Sequence, residues 1–310
     1  MKIIYMGTPD FAVPTLEMLV DCGHQVSLVV TKPDRPQKRG NKVLFSPVKA
    51  KAEELGIPVS QPERIGGNRD FFNQITDEAP DLIVVAAYGK ILPVDILDIP
   101  ALGSINIHAS ILPKYRGSAP IHRAVQYGED VTGVTLMYMS EGMDEGDMID
   151  TAVTDIDHKN TGQLHDELSH MGAELLKGRL NDIKDGRIIR TPQDHSRATY
   201  APMVKKEEGH VDFAMSSREA ERLIRAMTPF PGAYAMLGGK KMKILEAKSG
   251  DPVHNGLPGE IIKANDEGIV VKTGGHSSVV IMKLQMPGKK AMDTASFLRG
   301  NKLEPGRQLR

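Results

Sequence analysis

Apolar segments rich in β-branched residues alternate with amphipathic helical patterns over the first two hundred residues. The strand-like segments are KIIYM, QVSLVV, DLIVVAAY, SINIHA and VTLMYM. Helical patterns lie between them, such as FAVPTLEMLVDCG and PVKAKAEELG. Nearly continuous apolar strands separated by helices are typical of a mainly parallel sheet with helices on both faces. We therefore predict an α/β fold whose binding crevice lies at the carboxyl ends of the strands.

The pattern changes towards the C-terminus. A long helix is predicted from about Thr161 to Lys184, because leucines recur there at helical spacing. The polar stretch RTPQDHSRATYAPMVKKEEG follows without a sustained period and indicates a linker. Beyond it, one short helix (EAERLIRAM) precedes alternating segments with glycine turns, which predicts a small β-barrel. We expect an α/β domain over residues 1–190, a linker over 191–206 and the barrel over 207–310.

Composition narrows the class of protein. With 40% hydrophobic and 25% charged residues, the chain matches an ordinary globular protein. Its opening, MKIIYMGTPDF, has a single lysine and an apolar run broken by Gly7 and Pro9, which fits a first strand better than a secretion signal. We therefore expect a cytoplasmic protein without membrane segments. The single cysteine, Cys22, excludes an internal disulfide and a CxxC metal site, and we predict no metal.

Charge is distributed unevenly along the chain. Residues 201–310 hold 18 Lys and Arg against 12 Asp and Glu, whereas residues 1–200 hold 21 against 28. A basic C-terminal part suits a polyanionic partner, and a solvated surface is the alternative.

Familiar cofactor motifs are incomplete or absent. GTPDF after the first strand offers only Gly7 where a dinucleotide fingerprint needs three glycines. The second strand ends in Thr31 and Lys32, where an acidic ribose ligand is expected. No GxxxxGK[ST], HExxH or GxSxG motif occurs, so nucleotide-phosphate, zincin and serine-hydrolase templates have no support.

The segment SINIHASILPKYRG carries the strongest chemical signal. Asn106 and His108 alternate with isoleucines at the end of a strand, so they share one face. Asp144 follows the strand VTLMYM in a glycine-punctuated loop. Together the three suit acyl transfer to an external amine: Asn106 donates to the oxyanion, His108 donates or transfers a proton, and Asp144 orients the imidazole and accepts the amine proton. Glu145 and Asp147 are rival carboxylates, and the pattern does not choose among the three.

The chain resembles the folate-dependent formyltransferases. SINIHASILPKYRGSAPIHRA and GVTLMYMSEGMDEGDM carry the likeness, and the match to members acting on initiator tRNA extends from YMGTPDFA through TKPDRPQKRG to PGKKAM. The resemblance implies a Rossmann-like catalytic domain followed by an OB-like barrel. It also implies 10-formyltetrahydrofolate as co-substrate and methionyl initiator tRNA as partner, with transfer of the formyl group to the methionine amino group.

The resemblance also assigns residues. Asn106, His108 and Asp144 match the family's catalytic Asn, His and Asp. Its folate-binding SLLP turn matches Ser110, Ile111, Leu112 and Pro113. Ile111 replaces the commoner leucine, a volume-conserving change that should preserve the folate pocket.

Basic residues form the predicted tRNA surface. Residues 31–49 hold six Lys or Arg and one acid, Asp34, among prolines and a glycine. Arg39 best matches the family's tRNA-contacting arginine, and a solvated connection is the alternative for this loop. The predicted tRNA contacts are Lys32, Arg35, Lys38, Arg39, Lys42, Lys205 and Lys206. The basic track would continue over Lys240, Lys241, Lys243, Lys289 and Lys290 through phosphate contacts.

Two other functions remain open on the sequence. One is a formyltransferase acting on a small amine, which would need neither the basic loop nor the basic second domain. The other is a noncatalytic RNA-binding protein with a relict site, which the intact Asn106, His108 and Asp144 set disfavours. We expect no obligate protein partner.

Overall fold

The computed structural model describes residues 1–36 and 43–310, which form two compact units. The first unit comprises Met1–Pro120, Val131–Asp155 and His165–Pro202, and the second comprises Ile121–Asp130, Ile156–Leu164 and Met203–Arg310. Most of the segment expected to be a linker, up to Pro202, therefore groups with the first unit. The domain boundaries at residues 190 and 206 stay predictions.

The first unit is built on a seven-stranded sheet. Strands β1 to β9 span Lys2–Gly7, Gln25–Val30, Arg35–Pro36, Val43–Leu44, Val59–Ser60, Leu82–Ala86, Ser104–His108, Val131–Tyr138 and Met148–Asp155. Helices α1 to α4 span Val13–Asp21, Pro47–Glu54, Arg69–Glu78 and Val94–Leu97. Helix α5 (Pro120–Tyr127) belongs to the second unit from Ile121 onward, and α6 (Thr161–Lys184) belongs to the first unit from His165 onward. The sheet order is β5-β2-β1-β6-β7-β8-β9, while β3 and β4 pair separately. Pairing is parallel except at β7–β8 and β8–β9, so the mainly parallel α/β fold is confirmed.

The central strands are covered on both faces. β6 is buried along its whole length, which requires apolar cover on either side. On one face, Ile4 and Val85 join a cluster with Phe71 of α3 and Ile96 of α4. On the other face, α6 approaches so closely that a Cβ on Gly172 would lie 2.7 Å from Ile107. The two layers therefore cover opposite faces of the sheet around β6 and β7.

The long helix predicted from leucine spacing is confirmed, since α6 begins at Thr161 and ends at Lys184. The edge strand β9 was not predicted. Its residues are half-buried or exposed, and the segment lacks the apolar run that identifies the central strands.

Besides α5, the second unit holds an antiparallel sheet and two helices that come later in the chain. Its elements are α7 (Ser217–Ala226), β10 (Ala233–Leu237), β11 (Lys240–Ser249), β12 (Ile261–Asn265), β13 (Gly268–Lys272), β14 (Ser278–Gln285), β15 (Met292–Asp293) and α8 (Thr294–Gly300). The order is β10-β11-β14-β13-β12, with β15 on β14. Its separate core confirms the predicted β unit, whereas the OB-like barrel stays a prediction. No helix in the described ranges is long and apolar enough to cross a membrane.

Candidate active site

The register of β6, β7 and β8 places Asn106 and His108 on the same face of the sheet. Asn106 lies opposite Val85 on one side and Met137 on the other, and His108 lies opposite Thr135. Directly paired residues share a face, so both polar side chains lie on the face of the Val85 cluster rather than the α6 face. Because β7 ends at His108, the pair stands at the carboxyl edge of the parallel strands.

Asp144 reaches both side chains. Its Oδ1 accepts a weak hydrogen bond from Asn106 Nδ2 at 3.4 Å, and its Oδ2 lies 3.6 Å from His108 Nδ1. The backbone N–H of Gly117 donates to Oδ2 at 2.8 Å. Asp144 adopts a left-handed backbone with φ 52°, which aspartate tolerates better than most residues. The structure thus brings the three predicted residues together, and their catalytic roles stay a proposal.

The His108 ring is held from both sides. Its Nε2 lies 2.9 Å from the carbonyl oxygen of Tyr115, and a carbonyl only accepts, so Nε2 carries the hydrogen of this bond. Nδ1 is therefore the nitrogen that faces the Asp144 carboxylate. The ring is buried, with 6% of its surface exposed, which restricts it to this orientation.

Hydrogen bonds also shape the turn after β7. The Thr135 hydroxyl donates to Ser110 O at 2.7 Å and accepts from Leu112 N at 3.2 Å. The Ser110 hydroxyl donates to Lys114 O at 2.6 Å. Ser110 and Leu112 are buried, whereas Ile111 and Pro113 are partly exposed. Ser110 and Leu112 therefore support the turn from inside, and the folate contact of residues 110–113 stays a prediction.

Arg116 is one of the largest fully buried side chains in the described structure. Its Nε and Nη2 donate to Gln193 Oε1 at 3.1 and 2.7 Å. Its backbone pairs with the 199–201 segment, through Arg116 N to Thr199 O and Ala201 N to Arg116 O. Gln193 was not predicted, because an aperiodic polar stretch gives no sign of which side chain is buried.

The rival carboxylates lie differently. Glu145 is 41% exposed and 3.9 Å from Arg116 Nη1. Asp147 pairs through its backbone, whose carbonyl accepts from Tyr138 N. Asp144 is the carboxylate that contacts both Asn106 and His108, so geometry favours it.

Two buried hydroxyls near the strand ends have no partner among the described residues. They are Tyr88 Oη, on the loop after β6, and Ser140 Oγ, after β8. Burial raises the pKa of Tyr88 to about 12. Tyr88 belongs to the apolar cluster that includes Leu92, with Met139 packed against it. Buried hydroxyls without a hydrogen-bond partner are uncommon in folded proteins.

Part of the predicted basic loop lies outside the described residues, namely Lys38, Arg39 and Lys42. The end of the Lys32 side chain lies against Gly89, and the backbone of Arg35 lies in β3.

Lys49, the last cation of that segment, makes side-chain hydrogen bonds within the first unit. Lys49 Nζ donates to Asp34 at 2.5 Å and to Gln61 at 3.0 Å. Burial raises the pKa of Asp34, but the hydrogen bonds from Lys49 and Gln61 outweigh it, so the net shift is downward. This sixth cation of the loop therefore serves an ion pair within the first unit.

In the second unit, several predicted cations lie near one tyrosine. Lys241 Nζ sits 3.4 Å over the Tyr234 ring, and Lys243 lies opposite Tyr234 across the strand pair. The His210 ring is 5.3 Å from the same ring. The other predicted cations are exposed, namely Lys205, Lys206, Lys240, Lys289 and Lys290. Within the described ranges, no group of three His, Cys, Asp or Glu could hold a metal ion.

Comparison with known proteins decides the family. The formyl transferase family model matches residues 1–180, and the model described as formyl transferase, C-terminal domain, matches residues 203–302. The chain belongs to the formyl transferase family. The resemblance inferred from the motifs around Asn106 and Asp144 is therefore confirmed.

Full-length relatives in this family carry a more specific name. A methionyl-tRNA formyltransferase of Geotalea uraniireducens is 47% identical over 307 residues, covering 99% of this chain and 97% of the relative. One from Bacillus velezensis is 44% identical over 306 residues, covering 98% and 96%.

Solved structures of other proteins share the fold. An N-formyltransferase from Helicobacter canadensis, in complex with folinic acid and dTDP-3-aminofucose, is 19% identical with a TM-score of 0.67 and covers 92% of this chain and 99% of that one. HypX from Aquifex aeolicus, in complex with tetrahydrofolic acid, is 19% identical with a TM-score of 0.65, covering 98% of this chain and 50% of that one.

Proposed function

We propose that this protein transfers the formyl group of 10-formyltetrahydrofolate to the free amino group of methionyl initiator tRNA, producing N-formylmethionyl-tRNA for translation initiation in the cytoplasm. One observation carries the proposal. In a member of the formyl transferase family, Asn106, His108 and Asp144 converge at the carboxyl edge of the sheet. Relatives of 43–47% identity over nearly the full length are named methionyl-tRNA formyltransferase, which supports the tRNA substrate.

The chemistry begins with the amine. The methionine nitrogen attacks the formyl carbon, and the carbonyl oxygen becomes an oxyanion. Asn106 Nδ2 is the side-chain donor at the site that can turn to this oxygen, because its bond to Asp144 is long at 3.4 Å. An oxyanion donor of this kind is typically worth about 10²- to 10³-fold in rate.

Collapse of the tetrahedral intermediate breaks the bond between the formyl carbon and folate N10. The amine nitrogen loses one proton and N10 gains one. Asp144 accepts the amine proton, since its carboxylate is partly exposed beside the two donors. His108 Nδ1 would take this proton from Asp144, 3.6 Å away, and would then donate it to the oxyanion or pass it to N10, because Nε2 is committed to Tyr115. No covalent enzyme intermediate is needed.

We place the folate co-substrate next to these three residues. Its ring system carries several N–H donors and ring nitrogens, which suits the buried hydroxyls of Tyr88 and Ser140. Met139, which is partly exposed, would contact one of its flat faces. The turn formed by Ser110, Ile111, Leu112 and Pro113 would hold it from the β7 side. The co-substrate supplies the activated formyl group on N10.

The tRNA partner would be bound through its phosphates. Lys205 and Lys206 are exposed in a unit whose C-terminal segment is rich in lysine and arginine. Phosphate contacts position a nucleic acid and give affinity that weakens with salt. The tRNA phosphates would also be contacted from the first unit, by Lys32, Arg35, Lys38, Arg39 and Lys42.

The deciding experiment incubates the protein with 10-formyltetrahydrofolate and initiator tRNA charged with methionine, then identifies the released amino acid by mass spectrometry. We expect N-formylmethionine. A parallel reaction replaces the charged tRNA with methioninamide, a small amine. Faster formylation of methioninamide than of the charged tRNA would favour the small-amine enzyme. Binding of tRNA without any formyl product would favour a noncatalytic RNA-binding protein.

A further inference from the structure

Both polar atoms of the Gln193 carboxamide make hydrogen bonds in the interior of the first unit. It is 5% exposed. Its Nε2 donates to Asp144 O at 2.9 Å and to Gly146 O at 2.8 Å. Its Oε1 accepts from two nitrogens of Arg116, at 2.7 and 3.1 Å. One side chain therefore joins the Asp144 loop to a buried guanidinium.

Asp144 is thus restrained at both its main chain and its side chain. Gln193 binds the carbonyl of Asp144, and Gly117 N–H binds Asp144 Oδ2 at 2.8 Å. Gly117 follows Arg116 directly, so the donor to the carboxylate and the partner of Gln193 belong to one short segment. Gly117 has φ 111°, and a Cβ there would lie 3.0 Å from Ala201 O, so the segment has little room to shift.

We propose that Gln193 is a positioning residue for Asp144, acting through the Asp144 and Gly146 carbonyls. The role rests on the proposed function, because it concerns the carboxylate that accepts the amine proton. Asp144 holds an unusual left-handed backbone, which persists only where surrounding contacts enforce it. The two Gln193 donors are such contacts.

The alternative is that Gln193 only satisfies the buried charge of Arg116. Glutamine has two donors and one acceptor, whereas glutamate beside a guanidinium is an acceptor only. Gln193→Glu therefore keeps the bond to Arg116 and removes both bonds to the loop. It also sets a negative oxygen against two carbonyl oxygens. A residue needed only by Arg116 would tolerate this change.

The experiment compares Gln193→Glu with wild type in steady-state formylation of methionyl-tRNA. We expect kcat to fall about 10- to 100-fold, the range for a catalytic group displaced by about 1 Å, with KM for each substrate within about threefold. The melting temperature should stay within about 4 °C, because Arg116 keeps its partner. Gln74→Glu is the matched control, since Gln74 lies exposed on α3, and it should leave kcat unchanged.

A double-mutant cycle separates positioning from general damage. If Gln193 acts through Asp144, adding Gln193→Glu to Asp144→Asn should lower the residual rate less than threefold. If the fold-decreases in kcat of the two single variants multiply in the double variant, the proposal is wrong. A wild-type kcat for Gln193→Glu would also overturn it. If Gln193→Glu does not fold, the same cycle is run with Gln193→Met, and the same two outcomes decide. Wild-type protein that forms no N-formylmethionine would instead refute the proposed function.

Discussion

The polar cluster around Asp144 and the lysine-rich surface of the second unit use polar groups in opposite ways. In the first, His108 and Arg116 are buried and each contact has a defined direction. In the second, Lys205 and Lys206 are exposed, and their charges act at a distance through solvent. Directional buried contacts set reaction geometry, whereas exposed charges set affinity. Changes in the first region should therefore alter rate by orders of magnitude, and changes in the second should alter binding severalfold.

The largest effect is expected at Asp144. Asp144→Asn keeps the size of the side chain but removes the proton acceptor and places an amide against Asn106 and Gly117. We expect kcat for methionyl-tRNA formylation to fall about 10³-fold, within the range for loss of a general base. The far-ultraviolet circular dichroism spectrum should match that of wild type.

The rival carboxylate provides the control. Asp147→Asn makes the same chemical change three residues away and should retain more than half of the wild-type rate. Equal losses at positions 144 and 147 would show that the loop, rather than the Asp144 carboxylate, carries the effect.

A smaller effect is expected at the second unit. Replacing Lys205 and Lys206 together by alanine should weaken tRNA binding about 3- to 10-fold and reduce the slope of log affinity against log salt by about one to two. KM for the folate should not change. Filter binding at several salt concentrations measures both quantities.

Lys302→Ala is the matched control in the same unit, because Lys302 is exposed but paired with Glu304 at 2.8 Å. It should leave the salt slope unchanged. A double variant at 205 and 206 that behaves like this control would remove both lysines from the proposed tRNA surface.

The smallest effect concerns stability in the second unit. Glu208 receives a bidentate bond from the buried Arg123, at 2.7 and 3.3 Å. This bond lowers the pKa of Glu208 below its ordinary value of 4.5. Glu208→Gln should cost about 1–2 kcal/mol at pH 7. Because the folded-state pKa is depressed, this stabilisation is present above pH 4.5 and is lost as the pH falls through the folded-state pKa.

Urea unfolding of both proteins at several pH values tests this dependence. The difference in unfolding free energy should shrink below pH 4.5. Glu207→Gln, on the exposed neighbour, should change stability by less than about 0.5 kcal/mol at any pH. A constant difference at Glu208 across the pH range would contradict the role of the Arg123 ion pair.

Local periodicity was enough to predict the parts of the site that depend on one strand or one helix. The two-residue period of β7 put Asn106 and His108 on one face, and leucine spacing predicted α6 to both ends. The loop after VTLMYM suggested Asp144 among three carboxylates. These predictions rest on contacts between residues that are close in the sequence or in adjacent strands.

The rest of the site depends on contacts that have no local signature. The Tyr115 carbonyl and the Gly117 N–H are backbone groups, which every residue possesses. Gln193 meets Arg116 across 77 positions. Arg116 also pairs through its backbone with the 199–201 segment, which was predicted to be part of a linker because its residues are polar and aperiodic.

The most direct test is the single-turnover rate constant for formyl transfer at saturating methionyl-tRNA and folate. At saturation, the variant lacking Lys205 and Lys206 should react at the wild-type rate, because binding is no longer limiting. Asp144→Asn should remain about 10³-fold slower. Two results would contradict this account: a lysine variant that reacts more slowly than wild type at saturation, or an Asp144→Asn variant that reacts at the wild-type rate. Either result would show that the rate of formyl transfer is not set by the buried cluster.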